Sequence, residues 1–462
     1  MPLVKICRVH SAEAARLFSW MDIDFIGLHA IEGADEPKVE LLRSICHLAS
    51  TRRSRISTVL LTKIRDHAEI VRMVGAIKPT YIQLHAPWLP GDLDALRRAL
   101  AEGYGGDIGI IGTVDPSDAS AINVIDQLAE LSDYLLIDHY RGGTGKGHSS
   151  DQLAKVFERR IGAPIFLAAG LNPKNVAGVV ERFRPYAVDV QSGVEASGSK
   201  DKSPVLVREF VSSAKNRKTT FIRPPIDYPL VVMSLTDAST ETLAQLVSQT
   251  AGAVDLFHID YSDGSIVPRF GFSSEAVAEQ VSAHAPYTPY DLHVFSRRPD
   301  GGETLKRHMK SNSLLRTAYL HCDSSDGFDV FREEVPIWAA ECRQLGIEPG
   351  LALQANADCL ARWKDIEAII SSLQISEISV VGPGPEKTVA DYARRVAPVL
   401  RLLRDLDNGS ERFAVGIDRL ITVEKVLSVK CLRPTRVISG AAIHGSGNPL
   451  DAIERFRSAI AY

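Results

Sequence analysis

In the first half of this chain, residues capable of acid–base chemistry stand where short apolar segments end. They are Cys7, His85, Asp138 and Asp189. A thiol works as a general base only when a nearby cation or dipole lowers its pKa. Lys5 shares one face of an extended segment with Cys7, whereas Arg8 acts on the thiol only if the strand has already ended. Because an isolated cysteine in an apolar strand is more often a small buried hydrophobe, Cys7 alone does not establish catalysis.

The second half carries a different set of residues, which suits a metal ion. His258 and Asp260 are two residues apart, so their side chains point to one face of a strand, and His293 ends the next strand. Two imidazoles and a carboxylate at one place are ligands for a divalent transition metal, and Asp418 is a candidate to complete the set. A lone His-x-Asp motif is a weak signal, so the assignment depends on its surroundings.

Glycine-bearing segments follow several of the later strands in each half and suit phosphate binding. Glycine lets backbone amides approach an anion closely near the N-termini of helices. The candidates are Gly143, Thr144, Gly145, Gly170, Ser192 and Gly193 in the first half, and Gly440 and Ala441 in the second. Since barrel enzymes commonly hold phosphate after their last strands, the sequence predicts one phosphorylated small molecule per half.

The elements that must position these residues alternate between short apolar strands and amphipathic helices. The predicted strands begin at Leu3, Asp24, Arg55, Tyr81, Ile108, Tyr134, Pro164 and Ala187, and then at Tyr228, Val254, Tyr290, Arg316, Glu348, Ile375, Arg412 and Arg436. Strict alternation implies parallel sheets, and although an open doubly wound sheet fits the same pattern, eight strands per half favour closed barrels. The sequence therefore predicts an α/β protein with two tandem (β/α)8 TIM barrels, residues 1–214 and 228–462, joined by a linker at 215–227.

Composition agrees with two ordinary folded domains and argues against several function classes. The 462 residues are 45% hydrophobic and 24% charged, and the formal net charge is -4, which argues against a nucleic-acid partner. No apolar run approaches about 18 residues and no leader precedes the first strand, so we expect a cytoplasmic protein with no membrane partner. The scattered cysteines are expected to be reduced, and the oligomeric state, including a homo-oligomer, stays open.

Five motifs of the first half share the order and spacing of one enzyme family. They are Val4-Lys5-Ile6-Cys7, Gln83-Leu84-His85, Leu136-Ile137-Asp138 leading into Gly142-Gly143-Thr144-Gly145-Lys146, Leu167 to Val176, and Asp189 to Glu195. On these motifs the first half resembles phosphoribosylanthranilate isomerase. The resemblance implies an Amadori rearrangement of a phosphoribosylamine without a cofactor, with Cys7 as general base at the sugar C2 and Asp138 as general acid at the ring oxygen. It also implies substrate or phosphate contacts from His85, Asp189 and the glycine segments.

The first half also departs from that family. Where the family carries an arginine that contacts the anthranilate part, this chain has Glu32, Asp35 and Glu36 and no arginine. Arg8 stands where the family usually has glycine, and it is a candidate to take over the carboxylate contact, because guanidinium groups suit carboxylates. His29 is either a new polar contact at the pocket or a structural histidine. The expected substrate is thus phosphoribosylanthranilate or a related amine.

The segments from His258 to Pro268 and from Asp291 to Val294 give the second half its own family resemblance. They are similar to the corresponding parts of ribulose-phosphate 3-epimerase, more loosely than in the first half. The resemblance implies a divalent metal (Zn, Fe or Mn) and proton exchange by two aspartates at C3 of a ketopentose phosphate. The residues that it implicates are His258, Asp260, His293 and Asp418 for the metal, Asp260 and Asp418 for the protons, and Gly384, Gly440 and Ala441 for substrate or phosphate.

One motif of the second half differs from that family. The family's Val-Asp-Gly-Gly reads Ile417-Asp418-Arg419 here, so the carboxylate is displaced and the glycine pair is lost. Nearby, His321 and Asp323 end the fourth strand, where they either extend the polar site or form a hydrogen-bonded structural pair.

Two hypotheses follow for the whole chain. In the first, both halves are isomerases of phosphorylated pentoses, one performing an Amadori rearrangement and the other a C3 epimerisation, either in sequence or on unrelated substrates. In the second, only one barrel is catalytic, and the other binds a sugar phosphate as a regulatory or scaffolding module.

Overall fold

The computed structural model describes most of the chain and divides it into two compact units. The described residues are 1–50, 56–140, 147–168, 170–218, 221, 229–236, 238, 241–324, 327–382, 384 and 388–461. Residues 1–224 form the first unit and residues 225–462 the second. Each unit contains its own closed sheet, and the two are described separately.

The first unit is a closed barrel of eight parallel strands in sequential order, in which β1 pairs with both β2 and β8. The strands are β1 Leu3–Ile6, β2 Phe25–His29, β3 Ser57–Thr62, β4 Tyr81–Leu84, β5 Gly109–Val114, β6 Tyr134–Ile137, β7 Ile165–Leu167 and β8 Ala187–Val190. The helices between and after them are α1 Ala12–Phe18, α2 Glu36–Ser50, α3 His67–Ile77, α4 Pro90–Gly103, α5 Ala119–Asn123, α6 Ile125–Glu130, α7 Ser150–Phe157, α8 Val176–Phe183 and α9 Pro204–Lys215, with a 3-10 turn at Ser192–Val194.

The second unit repeats this architecture, and its ring closes where β16 pairs with β9. Its strands are β9 Leu230–Ser234, β10 Leu256–Ser262, β11 Tyr290–Phe295, β12 Leu315–Cys322, β13 Glu348–Gln354, β14 Glu377–Val381, β15 Ala414–Asp418 and β16 Arg436–Ser439. Its helices are α10 Leu243–Thr250, α11 Ser274–His284, α12 Glu303–Ser311, α13 Phe328–Gln344, α14 Ala357–Ala361, α15 Trp363–Ser372, α16 Val389–Asp407, α17 Val423–Val429, α18 Ala441–His444 and α19 Pro449–Ile460, with a 3-10 turn at Lys430–Leu432.

The predicted fold of two tandem (β/α)8 barrels is confirmed. Every observed strand begins within two residues of its predicted start. Of those predicted starts, Arg55 and Tyr228 themselves lie outside the described residues. The agreement is close because buried parallel strands form short, nearly continuous apolar runs that amphipathic helices separate.

An aromatic layer fills the first barrel near the amino ends of its strands. Phe25, Tyr81 and Tyr134 open the second, fourth and sixth strands, and their rings lie 5.4 to 6.1 Å apart. Phe166 contacts Phe25 edge to face at 5.1 Å between ring centroids. Side chains from alternate strands form such layers in barrels of this kind, and the layer leaves the carboxyl ends free for polar residues.

The second barrel contains buried ion pairs in its interior. Arg316 of β12 donates from Nη2 to Oε1 of Glu377 at 2.7 Å, and Arg436 of β16 donates from Nη1 to Oδ2 of Asp291 at 3.2 Å. Arg436 also contacts Glu377 and the hydroxyl of Tyr319. All four charged side chains are at most 3% exposed. Removal of any one partner would leave a buried charge uncompensated.

No helix within the described ranges combines the length and the apolar character required to span a membrane.

We predict that Glu377→Gln lowers the free energy of unfolding of the second barrel by about 3–5 kcal/mol, because it leaves Arg316 and Arg436 with too little negative charge. Urea unfolding followed by circular dichroism measures the loss. Glu333→Gln is the matched control, since Glu333 is exposed on α13, and it should change the value by no more than about 0.5 kcal/mol. A Glu377→Gln protein as stable as the control would contradict a structural role for the ion pairs.

Candidate functional site

The first barrel opens at the carboxyl ends of its strands into a cavity of about 1220 Å³. The predicted site residues that line it are Cys7, Arg8, His85, Asp138, Gly170, Asp189 and Ser192. Their strands are β1, β4, β6 and β8 and the segments that follow β7 and β8. The closed sheet therefore brings together residues that are up to 185 positions apart, from Cys7 to Ser192.

Cys7 lines this cavity, directly after β1. Its backbone N–H donates to the carbonyl oxygen of Val190 at 2.8 Å, which fixes it against β8. A β-carbon at position 27 would come within 2.9 Å of the Cys7 Sγ atom, so the adjacent strand needs Gly27 at this point. His29 Nε2 lies 3.2 Å from Sγ. Of the two interpretations of His29, the structure favours a polar contact in the pocket.

Lys5 and Asp189 form a buried ion pair beside the thiol. The Lys5 Nζ atom donates to Oδ2 of Asp189 at 2.7 Å, and the side chains are 0% and 5% exposed. Burial lowers the pKa of Lys5, but the negative charges of Asp189 and of a Cys7 thiolate outweigh burial and raise the pKa. Lys5 is therefore cationic at neutral pH.

Burial and this cation act on Cys7 in opposite directions. Burial raises the pKa of the thiol, Lys5 lowers it and Asp189 raises it, with a net pKa of about 11. The sequence correctly predicted that Lys5 acts on the thiol, but the effect of burial on the pKa is larger than that of Lys5 in the resting protein. The thiol is protonated at neutral pH, and any gain in thiolate must come from changes that accompany substrate binding.

Asp138 occupies the end of β6 on the same rim. Its Oδ1 atom accepts from the backbone N–H of His139 at 2.8 Å. Burial and the charge of Asp189 raise the pKa of Asp138 to about 7, against the lowering effects of the His139 N–H and of Lys5. The carboxyl thus differs from an ordinary surface aspartate in retaining its proton up to neutral pH.

Two histidines that line this cavity, His29 and His85, are neutral. Burial lowers the pKa of His29 to about 3, with Lys5 and Arg8 adding to the effect. Burial lowers the pKa of His85 to about 4, and its Nδ1 atom lies 3.2 Å from Nε2 of Gln83. Both rings are therefore available as uncharged hydrogen-bonding partners for a bound molecule.

The predicted phosphate segments of the first barrel are described in part. Gly143, Thr144 and Gly145 lie outside the described residues. Gly170 takes a left-handed φ of 73° after β7. Gly193 lies in the 3-10 turn that follows β8, where a β-carbon would collide with the carbonyl oxygen of Leu171. The segments after β7 and β8 thus pack closely enough to require glycine.

Arg8 adopts a conformation that glycine takes more easily. Its φ is 61°, in the left-handed region, which costs an ordinary residue about 1–2 kcal/mol. Its Nη1 atom lies 3.9 Å from Oε1 of Glu195, which also accepts from Lys202 Nζ at 3.0 Å. The side chain lines the cavity, and so do Glu32 and Asp35 of the segment that lacks the family's arginine.

In the second barrel, the four predicted metal ligands converge at the carboxyl ends of β10, β11 and β15. Asp260 Oδ1 lies 3.2 Å from His293 Nδ1 and 3.6 Å from His258 Nε2. Asp418 Oδ2 lies 3.9 Å from each of the same two nitrogens. One atom from each of His258, His293 and Asp418 falls within 4.8 Å of the others. The displaced Asp418 therefore still reaches the cluster.

The surroundings of this cluster suit a bound cation. Both ring nitrogens of His258 are buried and have no hydrogen-bond partner among the described residues, which is costly unless another group satisfies them. His293 Nε2 lies 3.1 Å from His321 Nδ1, which leaves Nδ1 of His293 directed at the carboxylates. Thr236 donates to Oδ2 of Asp260. Two imidazoles and two carboxylates fit a divalent transition metal, and neighbouring side chains hold the outer atoms of His293 and Asp260.

The charges within the cluster are strongly linked. Burial lowers the pKa of His258, but Asp260 and Asp418 outweigh burial and raise it to about 9. Burial and the charge of Asp260 raise the pKa of Asp418, whereas the two histidines hold the pKa of Asp260 below its usual range. Protons and cations therefore compete for the same acceptor atoms.

A cavity of about 1050 Å³ lies over this cluster. Gly440 and Ala441 line it at the start of α18, whereas Gly384, with a φ of 138°, is not part of its lining. Arg419 and Leu420 replace the family's glycine pair and keep left-handed φ values of 76° and 52°. The backbone at this rim thus has a conformation that glycine adopts easily, although neither residue is glycine.

His321 and Asp323 do extend this polar cavity. His321 contacts His293, and Asp323 Oδ2 accepts from Arg297 Nε at 2.8 Å. The sequence did not indicate the supporting roles of Thr236 and Arg297. No local motif marks them, because each belongs to a different strand end from its partner.

One family model matches the first barrel. The family model described as N-(5'phosphoribosyl)anthranilate (PRA) isomerase matches residues 5–213. The N-(5'-phosphoribosyl)anthranilate isomerase of Haloferax volcanii is 33% identical over 225 residues, which cover 47% of this chain and 95% of that protein. The enzyme of the same name from Methanocella arvoryzae is 32% identical over 221 residues, covering 47% and 100%.

Among solved structures, N-(5'-phosphoribosyl)anthranilate isomerase from Pyrococcus furiosus covers 47% of this chain and 100% of its own, with 26% identity and a TM-score of 0.36. The sequence relatives are matched over nearly their whole length at identities above 30%. Through its first barrel, the chain belongs to the N-(5'-phosphoribosyl)anthranilate isomerase family.

Proposed function

We propose that the protein is a bifunctional isomerase of phosphorylated pentoses. The first barrel converts N-(5'-phosphoribosyl)anthranilate, or a related phosphoribosylamine, into the corresponding aminoketose. The second barrel inverts C3 of a ketopentose phosphate with the help of a divalent metal. The observation that carries the proposal is the placement of one thiol and one carboxyl, Cys7 and Asp138, on the rim of a single cavity in a barrel of this family.

The first reaction needs one acid and one base. A proton from Asp138 to the ring oxygen lets the C1–O bond break and opens the sugar ring. Removal of the C2 proton by the Cys7 thiolate then gives the enolamine, which becomes the aminoketose. Lys5 supports the thiolate, since its ammonium is buried beside Cys7 and lowers the pKa of the thiol against the effect of burial.

The carboxylate of the amine requires a cationic partner. The family's arginine is absent from this chain, so another residue must provide the contact. Arg8 lines the cavity next to Cys7, and its guanidinium is suited to a carboxylate. Glu195, an acidic neighbour of Arg8, is 3.9 Å away and is shared with Lys202. We therefore assign the anthranilate carboxylate to Arg8. An amine that lacks a carboxylate is the alternative substrate, and Glu32 and Asp35 at the same cavity favour it.

In the second barrel, His258, Asp260, His293 and Asp418 would hold the metal. When bound, a divalent ion supplies positive charge that stabilises the negative charge developing on a substrate oxygen. Inversion of C3 requires one group to remove the proton and another to return it on the opposite face. Asp260 and Asp418 are the two carboxylates at the cluster and are assigned these roles.

The second candidate function assigns catalysis to one barrel and sugar-phosphate binding to the other. The loss of the glycine pair at Arg419 and Leu420 favours it, because side chains there occupy the rim beside the phosphate segment. Within the bifunctional proposal, an aminoketose product carries the 2-ketose that a C3 epimerase requires, so the two reactions can run in sequence. A product of the first reaction that stays unchanged at C3 with every metal tested would eliminate the sequential arrangement.

We expect Cys7→Ala and Asp138→Asn each to lower kcat/KM for N-(5'-phosphoribosyl)anthranilate by at least about 100-fold, because general acid–base groups contribute about 100- to 10,000-fold. Loss of the substrate's fluorescence measures turnover. Cys46→Ala is the matched control, since Cys46 is a buried cysteine on α2 away from the cavity lining. Full activity in either rim variant would refute the assigned roles.

Arg8→Gly should raise KM for the same substrate about tenfold with little change in kcat, since it removes a contact made equally in the ground and transition states. It should also raise the free energy of unfolding by about 1 kcal/mol, because glycine adopts the left-handed φ without strain. Arg8→Ala is the control, with the same rise in KM but no gain in stability. An unchanged KM in both variants would favour an amine without a carboxylate.

His258→Ala and His293→Ala should each remove one equivalent of bound metal per chain and abolish interconversion of ribulose 5-phosphate and xylulose 5-phosphate. Metal content after gel filtration and a coupled epimerase assay measure the two effects. His284→Ala on α11 is the control, since His284 is exposed. Retention of the metal in both variants would exclude this cluster as its site.

A further inference from the structure

A second cluster of metal-ligand side chains lies on the first barrel, where the sequence predicts no cofactor. It consists of Asp115 after β5, His139 after β6 and His148 just before α7. None of the three lines the cavity that contains Cys7 and Asp138. The cluster is therefore distinct from the candidate active site, although His139 is the neighbour of Asp138 in the chain.

The three side chains are close enough to share one ion. His139 Nδ1 lies 3.4 Å from Oδ2 of Asp115, and the rings of His139 and His148 are 3.8 Å apart between centroids. One ligand atom from each residue falls within 4.8 Å of the other two. Ligands of a tetrahedral ion at bond lengths of about 2.0–2.2 Å are roughly 3.3–3.6 Å apart, so small side-chain rotations suffice to bind one.

His148 provides an independent indication of a missing partner. Both of its ring nitrogens are buried, and neither has a hydrogen-bond partner in the part of the chain that the structure describes. A buried polar atom without a partner is costly, and the tilted contact with the ring of His139 does not supply a hydrogen bond. A cation bound to one of these nitrogens would remove the penalty.

Asp115 is already held in a fixed orientation. Its Oδ1 atom accepts from the backbone N–H and the hydroxyl of Ser117 at 2.9 and 2.6 Å. Its Oδ2 atom accepts from the backbone N–H of Tyr140 at 3.3 Å and faces His139. Supporting hydrogen bonds of this kind orient carboxylate ligands in metal sites and leave a lone pair for the ion.

We propose that Asp115, His139 and His148 bind a divalent transition-metal ion such as Zn²⁺. Two imidazole nitrogens and one carboxylate oxygen are the donor set that such ions prefer, with the remaining positions open to water. The ion joins the ends of β5 and β6 to the start of α7. Because the N–H of His139 donates to Oδ1 of Asp138, the ion also fixes the backbone that orients this carboxyl. Binding at this site does not require either proposed reaction.

Metal stoichiometry tests the site in the full-length protein. The protein is stripped with a chelator, saturated with Zn²⁺, separated from free ion by gel filtration and analysed for metal per chain. We expect two equivalents in the native chain, one in His148→Ala, one in His258→Ala and none in the double variant. His47→Ala is the control, because His47 is an exposed histidine on α2, and it should keep both equivalents.

The outcomes separate this site from the one in the second barrel. A native chain that binds one ion, lost in His148→Ala but kept in His258→Ala, supports the present proposal and refutes the metal site of the second barrel. His148→Ala protein that keeps every ion of the native chain overturns the present proposal. Asp115→Asn, which preserves side-chain volume, must also weaken binding of one equivalent by at least tenfold, and circular dichroism verifies folding. Binding unaffected by Asp115→Asn would likewise overturn it.

Discussion

Closure of a parallel sheet is the constraint on which the rest of each unit depends. In a ring of parallel strands every carboxyl end lies on one rim, so residues that end successive strands are neighbours whatever their distance in the chain. The opposite end must then be filled, by the aromatic layer around Phe25 in the first barrel and by ion pairs around Glu377 in the second. Because the interior is filled at one end of each barrel, the polar rim at the other end is where a reaction can take place.

The residues near the strand ends could be predicted from the sequence because an apolar run and the polar residue at its end are both local signals. Cys7 and Asp138 directly follow apolar strands that can be read from the sequence, and His293 lies near the end of another. Each ring then gathers the strand ends of its own unit on one rim. Interactions between residues of distant strands were harder to predict from the sequence. The degree of burial that raises the pKa of Cys7 depends on every surrounding element, and no spacing rule connects Asp115, His139 and His148. Neither property is encoded in any one segment.

Both rims also carry backbone strain at positions where glycine would be unstrained. Arg8 in the first barrel, and Arg419 and Leu420 in the second, keep left-handed φ values while presenting side chains to a cavity. Strain of this kind persists where the surrounding structure fixes the backbone, and it is concentrated at functional sites. Each of these positions thus combines a backbone conformation that suits glycine with a side chain at a cavity.

The ion pair between Lys5 and Asp189 joins residues 184 positions apart across the seam where the first and last strands of the first barrel meet. Cys7 depends on this seam for its backbone anchor at Val190 and for its neighbouring cation. During synthesis, a ribosome must therefore complete nearly all of this barrel before the thiol acquires its environment. Such long-range closure slows folding. A nascent or truncated chain that lacks β8 would carry an ordinary cysteine, and its reactivity would report whether the ring has closed.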